Sequence, residues 1–154
     1  MAAYFFDSSA LMKRYAKETG SAWVIRLFKA SAANRVYVAR ITLVEVIAAL
    51  TRRTRSGRLH PMATAKSIIR FRRAFAGKFL IAETTRILVE EAARLAEKHA
   101  LRGYDAVQLA AALAANSNRL AVGARPLILV SADADLNIAA QAEGLAVDNP
   151  NNYP

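Results

Sequence analysis

Apolar residues in this chain come in two rhythms, short bursts of four or five and longer stretches with apolar positions three and four apart. Ala3-Tyr4-Phe5-Phe6 is the first burst, and its aromatic content suits a short buried strand. Ala10 to Ala16 suits a helix start; Trp23, Val24, Leu27 and Phe28 then fall at helical spacing within Ala22 to Ala33, with Ser21 placed to cap. Val36 to Ala39 reads as a second strand, and helices are expected from Leu43 to Arg53 and from Met62 to Ala76. Lys78 to Ala82 reads as a third strand. Thr84 is placed to cap an amphipathic helix through Leu88, Ala92, Leu95 and Ala96. Ala106 to Ala115 is nearly all apolar and must be buried on most sides, and Pro126 to Val130 is the clearest strand. A helix to about Glu143, the stop at Gly144 and a last strand, Leu145 to Val147, complete the series.

Strands alternating with helices at this rhythm predict an α/β fold, a doubly wound parallel sheet covered on both faces. With 154 residues and no linker or repeat, one domain spanning 1–154 is expected. Asp7 directly follows the first strand, at the carboxyl edge where open α/β sheets bind ligands.

Charge changes the picture next. Twenty-two Lys and Arg against twelve Asp and Glu give a formal charge of +10, which favours a polyanionic partner such as nucleic acid. The bases are concentrated: from Val46 to Ala82 there is no acid, but nine bases including Arg52, Arg53, Arg70, Arg72 and Arg73. A solvated face normally mixes signs, so this interval reads as a phosphate-binding surface, with those five arginines offered to RNA. Phe71 and Phe75, one helical turn apart among them, are expected to pack in the core or a dimer rather than stack on bases.

Cysteine is absent, which excludes disulfides, thiolate metal sites and a Cys nucleophile. Asp7 interrupts the first apolar run, Lys13 and Arg14 follow rather than precede it, and Gln108 and Arg125 break the longest others. A soluble, cytoplasmic protein with no membrane segment is expected. His60 and His99 stand alone, outside any triad pattern, and read as structural.

Of the twelve acids, Glu18, Glu83, Glu90, Glu91, Glu97 and Glu143 lie in polar surroundings and read as solvated. Asp7, Glu45, Asp105 and Asp133 each fall at a loop-to-helix junction within apolar sequence, while Asp135 and Asp148 stay unassigned. Helix capping is the competing explanation, since Asp is a preferred cap and Thr42-Leu-Val-Glu45 has capping-box spacing. Asp105 resists it, because Leu109, Ala112 and Leu113 share its helical face and a buried charge is costly unless paired or metal-bound. Ala48 and Ala49 leave room above Glu45. If the elements wind as predicted, the four carboxylates converge, and their repulsion requires a hard divalent cation. Oxygen-only ligands favour Mg²⁺ or Mn²⁺, and an acidic pit on a basic protein suits phosphodiester hydrolysis. The rival is a non-catalytic basic RNA-binding or partner-regulated scaffold in which the acids merely cap helices.

Four segments, in this order and spacing, resemble a PIN-domain protein of the VapC toxin type. They are Phe6-Asp7-Ser8-Ser9-Ala10-Leu11 with Lys13, Arg14 and Tyr15; Thr42-Leu-Val-Glu45; Leu101-Arg-Gly-Tyr-Asp105-Ala-Val-Gln-Leu-Ala-Ala-Ala112; and Leu129-Val-Ser131-Ala-Asp133. The resemblance implies a three-layer α/β/α sandwich around a parallel sheet of about five strands. It also implies an endoribonuclease whose Asp7, Glu45, Asp105 and Asp133 hold Mg²⁺ or Mn²⁺, with Ser9 and Ser131 as supporting hydroxyls. The implied partners are the RNA substrate, a cognate antitoxin whose tail occupies the active-site groove, and a second copy in a homodimer joined through residues 43 to 76.

Overall fold

Phe5 and Phe6 are neighbours in the first strand, β1 (Ala3–Phe6), and both are fully buried. Successive strand residues face opposite sides of a sheet, so β1 must be covered above and below. The computed structural model describes residues 1–154, and the chain after β1 supplies both covers. Helices α1 (Ser8–Met12), α2 (Ser21–Leu27), α3 (Thr42–Arg55) and α4 (Pro61–Gly77) enclose a core with Phe6, Leu11, Val24, Leu50, Phe71 and Phe75. Helices α5 (Arg86–His99), α6 (Gly103–Ala121) and α7 (Ala134–Ala142) enclose a second, with Phe5, Leu95, Leu109, Leu129 and Leu136. The result is the three-layer α/β/α sandwich. Phe71 and Phe75 are core residues, their rings edge to face at 5.8 Å.

The remaining strands are β2 (Arg35–Ala39), β3 (Leu80–Ala82), β4 (Ile128–Val130) and β5 (Ala146–Asp148). All five are parallel, in the order β3-β2-β1-β4-β5. The chain winds outward from β1 through β2 to β3, then returns to β4 on the other side of β1. The switch point therefore lies between β1 and β4, whose register pairs Phe6 with Val130. A crevice opens at the carboxyl ends of such a strand pair. No helix is long and apolar enough to cross a membrane.

Several boundaries differ from the sequence expectation, each for a local reason. Helix α1 stops at Met12, short of Ala16, as the chain turns to let buried Lys13 donate to the Thr19 carbonyl (2.8 Å) and to Asn151 Oδ1 (2.9 Å). Helix α2 is capped by Gly20, at φ 84°, and the Ser21 hydroxyl instead accepts the Glu18 N–H. It ends at Leu27, whose carbonyl takes a bond from the Asn34 amide, and a separate 3₁₀ turn covers Ala30–Ala32. Thr85, not Thr84, caps α5 by accepting from Leu88 N. Beyond β5, the tail folds back onto α2: Tyr153 stacks on Trp23 with centroids 4.3 Å apart, and a Cβ on Gly20 would collide with the Pro150 carbonyl.

Candidate active site

Asp7 leaves β1 at the switch point and caps α1, accepting from Ala10 N at 2.9 Å. Two hydroxyls reach the same carboxylate. Ser9 Oγ reaches both carboxylate oxygens at 2.8 Å, and Ser131 Oγ donates to Oδ2 at 2.8 Å. Those hydroxyls are themselves fixed, Ser9 by Ala132 N–H (3.0 Å) and Ser131 by Asp133 N–H (3.1 Å), so the loop after β4 is tied to the loop after β1. Asp7 is only 3% exposed. Burial pushes its carboxyl up to about 6, against the pull of the bonds from Ala10, Ser9 and Ser131, and the Asp105 charge adds to the rise.

Glu45 is not part of a capping box. Thr42 is buried inside α3, which has no side-chain cap, and its hydroxyl accepts from Gln108 Nε2 at 2.9 Å. The same amide donates to Glu45 Oε2 at 2.6 Å, holding the half-buried acid against α6 and leaving Gln108 Oε1 without a partner. Burial raises Glu45 to about 7; the bonds from Gln108 and Ser8 oppose this, and the Asp7 and Asp105 charges reinforce it. Asp105, in the first turn of α6, makes no side-chain cap bond. Its carboxyl is raised by burial, then by Asp133 and Asp135, with Arg102 opposing. Asp133 does cap, accepting from Leu136 N at 2.8 Å.

Asp7, Glu45 and Asp105 thus lie within electrostatic reach of one another, and Asp133 joins them through Asp105 and through the Ser131 bridge. The carboxylates are neighbours but not a closed ligand set: no three acids or imidazoles are gathered tightly enough to enclose an ion. Asp7's oxygens are turned to hydroxyls and Glu45's to Gln108, an arrangement that keeps like charges apart. The donor chemistry nonetheless fits a hard cation. Glu18, Glu83, Glu90, Glu91 and Glu143 each pair with a cation, whereas none of these four does.

The PIN domain family model matches residues 4–142. The chain belongs to the PIN-domain family. It is 33% identical over 147 residues to ribonuclease VapC45 of Mycobacterium tuberculosis (strain CDC 1551 / Oshkosh), covering 96% of this chain and 95% of that protein. Ribonuclease VapC49 of strain H37Rv matches to the same extent. Among solved structures, PAE2754 from Pyrobaculum aerophilum superposes with a TM-score of 0.65 at 20% identity, over 98% of this chain and 85% of that one. A toxin-antitoxin complex from Klebsiella pneumoniae gives 0.61 at 17%, over 96% of this chain and 97% of that one. Both likenesses bear on the fold.

In this PIN domain a groove of 460 Å³ runs beside the acids, with Glu45 in its wall above Ala48 and Ala49, and Ser8, Ser9, Tyr104 and Ala132 opposite. The five predicted arginines are divided: Arg52 and Arg53 line the groove, Arg70 and Arg73 line a separate recess, and exposed Arg72 lines neither. Glu18 is not a freely solvated acid but bridges Lys13 (3.3 Å) and Arg53 (2.7 Å) at the groove wall. His60 caps α4 and His99 pairs with Glu143 at 2.7 Å. Sequence reasoning missed Gln108, Thr42 and Ser8. The available signal was Gln108 itself, the lone polar residue in the run Ala106 to Ala115. A hollow of 640 Å³, roomier than the groove, opens beside β3 between Tyr37, Leu80 and Ala114, and none of the four acids lines it.

Proposed function

We propose that this chain is a cytoplasmic, divalent-metal-dependent endoribonuclease, the toxin of a toxin-antitoxin pair, in which Asp7, Glu45, Asp105 and Asp133 hold Mg²⁺ or Mn²⁺. One observation carries the reading: on a protein of charge +10, four acids are gathered at the carboxyl edge of the sheet, within electrostatic reach of one another, and none of them is paired with a cation. When bound, a hard cation supplies the missing counter-charge and polarises a phosphoryl oxygen. The chain's own residues prepare that site. Ser9 and Ser131 fix the Asp7 carboxylate, Gln108 fixes Glu45, and Arg52 and Arg53 offer the groove wall to the RNA backbone. Hydrolysis adds a water oxygen to phosphorus and breaks the bond to the 3′ oxygen, which leaves with a proton.

Ribonucleases VapC45 and VapC49, 33% identical over nearly the whole chain, support the ribonuclease activity. Antitoxin control is suggested by fold neighbours, the toxin-antitoxin complex from Klebsiella pneumoniae and VapBC2 from Rickettsia felis bound to a DNA fragment from its promoter. A homodimer is part of the same proposal. The test is labelled RNA incubated with and without Mn²⁺, alongside Asp7→Asn. Cleavage that needs Mn²⁺ and vanishes in the variant is expected; equal cleavage by both proteins sinks the metal-site reading, and no cleavage by either favours the scaffold.

A further inference from the structure

A recess of 170 Å³ lies between the last turns of α4 and the turn after α1, walled by Arg14, Tyr15, Arg70, Arg73, Ala74 and Lys78. It shares no lining residue with the groove beside the acids. No acid lines it, and none of its four cations forms an ion pair. Two buried donors border it: Arg14 Nε and the hydroxyl of Tyr15, which is 7% exposed, lack a partner of ordinary hydrogen-bond geometry, and the Arg14 guanidinium beside the hydroxyl opposes the rise that burial gives its pKa.

Both groups are held where they are. The Tyr15 ring packs edge-on against Phe71 at 5.2 Å, and the Arg14 guanidinium sits over Phe28 at 4.3 Å. Buried donors are normally satisfied, so two orphans among four unpaired cations call for an acceptor-rich anion. A phosphate group meets that need, offering several acceptor oxygens and the geometry guanidinium groups bind best. A second recess shares Arg14, Ala74 and Lys78 and is lined also by Leu27, Phe28 and Phe79, which puts apolar surface beside the phosphate position.

We propose that Arg14, Tyr15, Arg70, Arg73 and Lys78 form a phosphate-binding site, distinct from the acid cluster, that grips an RNA strand away from the bond being cut. The RNA source, though not the phosphate site, rests on the nuclease reading. Free phosphate is the other source of the same chemistry.

The test compares wild type with Tyr15→Phe, with Arg70→Gln/Arg73→Gln and with the control Arg55→Gln/Arg58→Gln, which removes equal charge from exposed positions outside both sites. All measurements are made in EDTA. Replacing chloride by phosphate at constant ionic strength is expected to raise the melting temperature of wild type and control but not of Arg70→Gln/Arg73→Gln. Fluorescence anisotropy with single-stranded RNA is expected to show the log–log salt slope shallower by about 1.4 in that variant, for two contacts at about 0.7 each, and unchanged in the control. Tyr15→Phe is expected to weaken RNA binding several-fold at unchanged slope. A phosphate response with RNA binding untouched in every variant overturns RNA as the source and leaves a free-phosphate site. Equal losses in variant and control, or no response to phosphate or RNA, overturn the site itself; the latter leaves the recess to an acidic protein partner. Because no divalent ion is present, a wild type that binds RNA here yet fails to cut it with Mn²⁺ sinks the nuclease reading alone.

Discussion

The carboxyl edge of the sheet and the recess beside α4 each gather charge of one sign without pairing it, but they are built in opposite ways. At the edge, every buried carboxylate contact comes from a neutral donor: hydroxyls and an amide N–H on Asp7, a side-chain amide on Glu45. The atoms are fixed while the charge stays uncompensated. In the recess the charges are exposed apart from Arg14, and the buried donors lack acceptors. The first is a preorganised site whose electrostatic cost is already met by folding; the second is completed only by what enters it. Holding Asp7 ionised at neutral pH costs on the order of 3 kcal/mol, a large share of a typical domain's stability.

Separating the two regions by mutation is the strongest way to break this comparison. Asp105→Asn is expected to lower Mn²⁺-dependent cleavage by about 10³-fold, or about 4 kcal/mol of barrier, while RNA affinity in EDTA stays within about twofold. Parallel loss of both would merge the regions into one. Ser131→Ala removes a donor from Asp7 and loosens the tie between the β1 and β4 loops. It should cost 10–100-fold in kcat, as for an outer-shell partner of a ligand, with about 1 kcal/mol of stability. An unchanged kcat would deny Ser131 any positioning role.

The smallest expected effect is on melting against pH without divalent ion. Glu45's folded value, about 7, lies above its ordinary 4.5, so its stabilising contribution is fully present below about 4.5 and is lost as pH rises through 7. Glu45→Gln, which keeps an acceptor for Gln108, should therefore gain on wild type between pH 4.5 and 8. With Glu45 partly exposed, the gain is expected to be roughly 3–6 °C at pH 8 and negligible at pH 4.5. Parallel curves would remove Glu45 from the charged cluster.

The layers and the parallel sheet were legible because they depend on local periodicity, as in the burial on both faces at Phe5 and Phe6, whereas the strand order was not; the candidate acids were singled out by small residues at Ala48 and Ala49 and by an acid stranded in apolar sequence at Asp105. The supporting network was not legible. Thr42 and Glu45 have the spacing of a capping box, and only the position of Gln108 on another helix, 63 residues away, shows that they share a donor instead. Arg14, Tyr15 and Lys78 were likewise invisible as one site, since a recess between a turn and a helix end leaves no periodic trace. The division of the five arginines came from which way α3 and α4 turn their faces, a tertiary property.

The tail's return onto α2 has a practical side. The strands are parallel, so β1 starts and β5 finishes at opposite edges of the sheet; Met1 lies at the amino edge, while Asn151 reaches Lys13 in the groove wall. Anything fused beyond Pro154 would emerge next to the groove, where an affinity handle could block substrate entry and mimic an inactive enzyme. Immobilisation or labelling through the amino end leaves that doorway open.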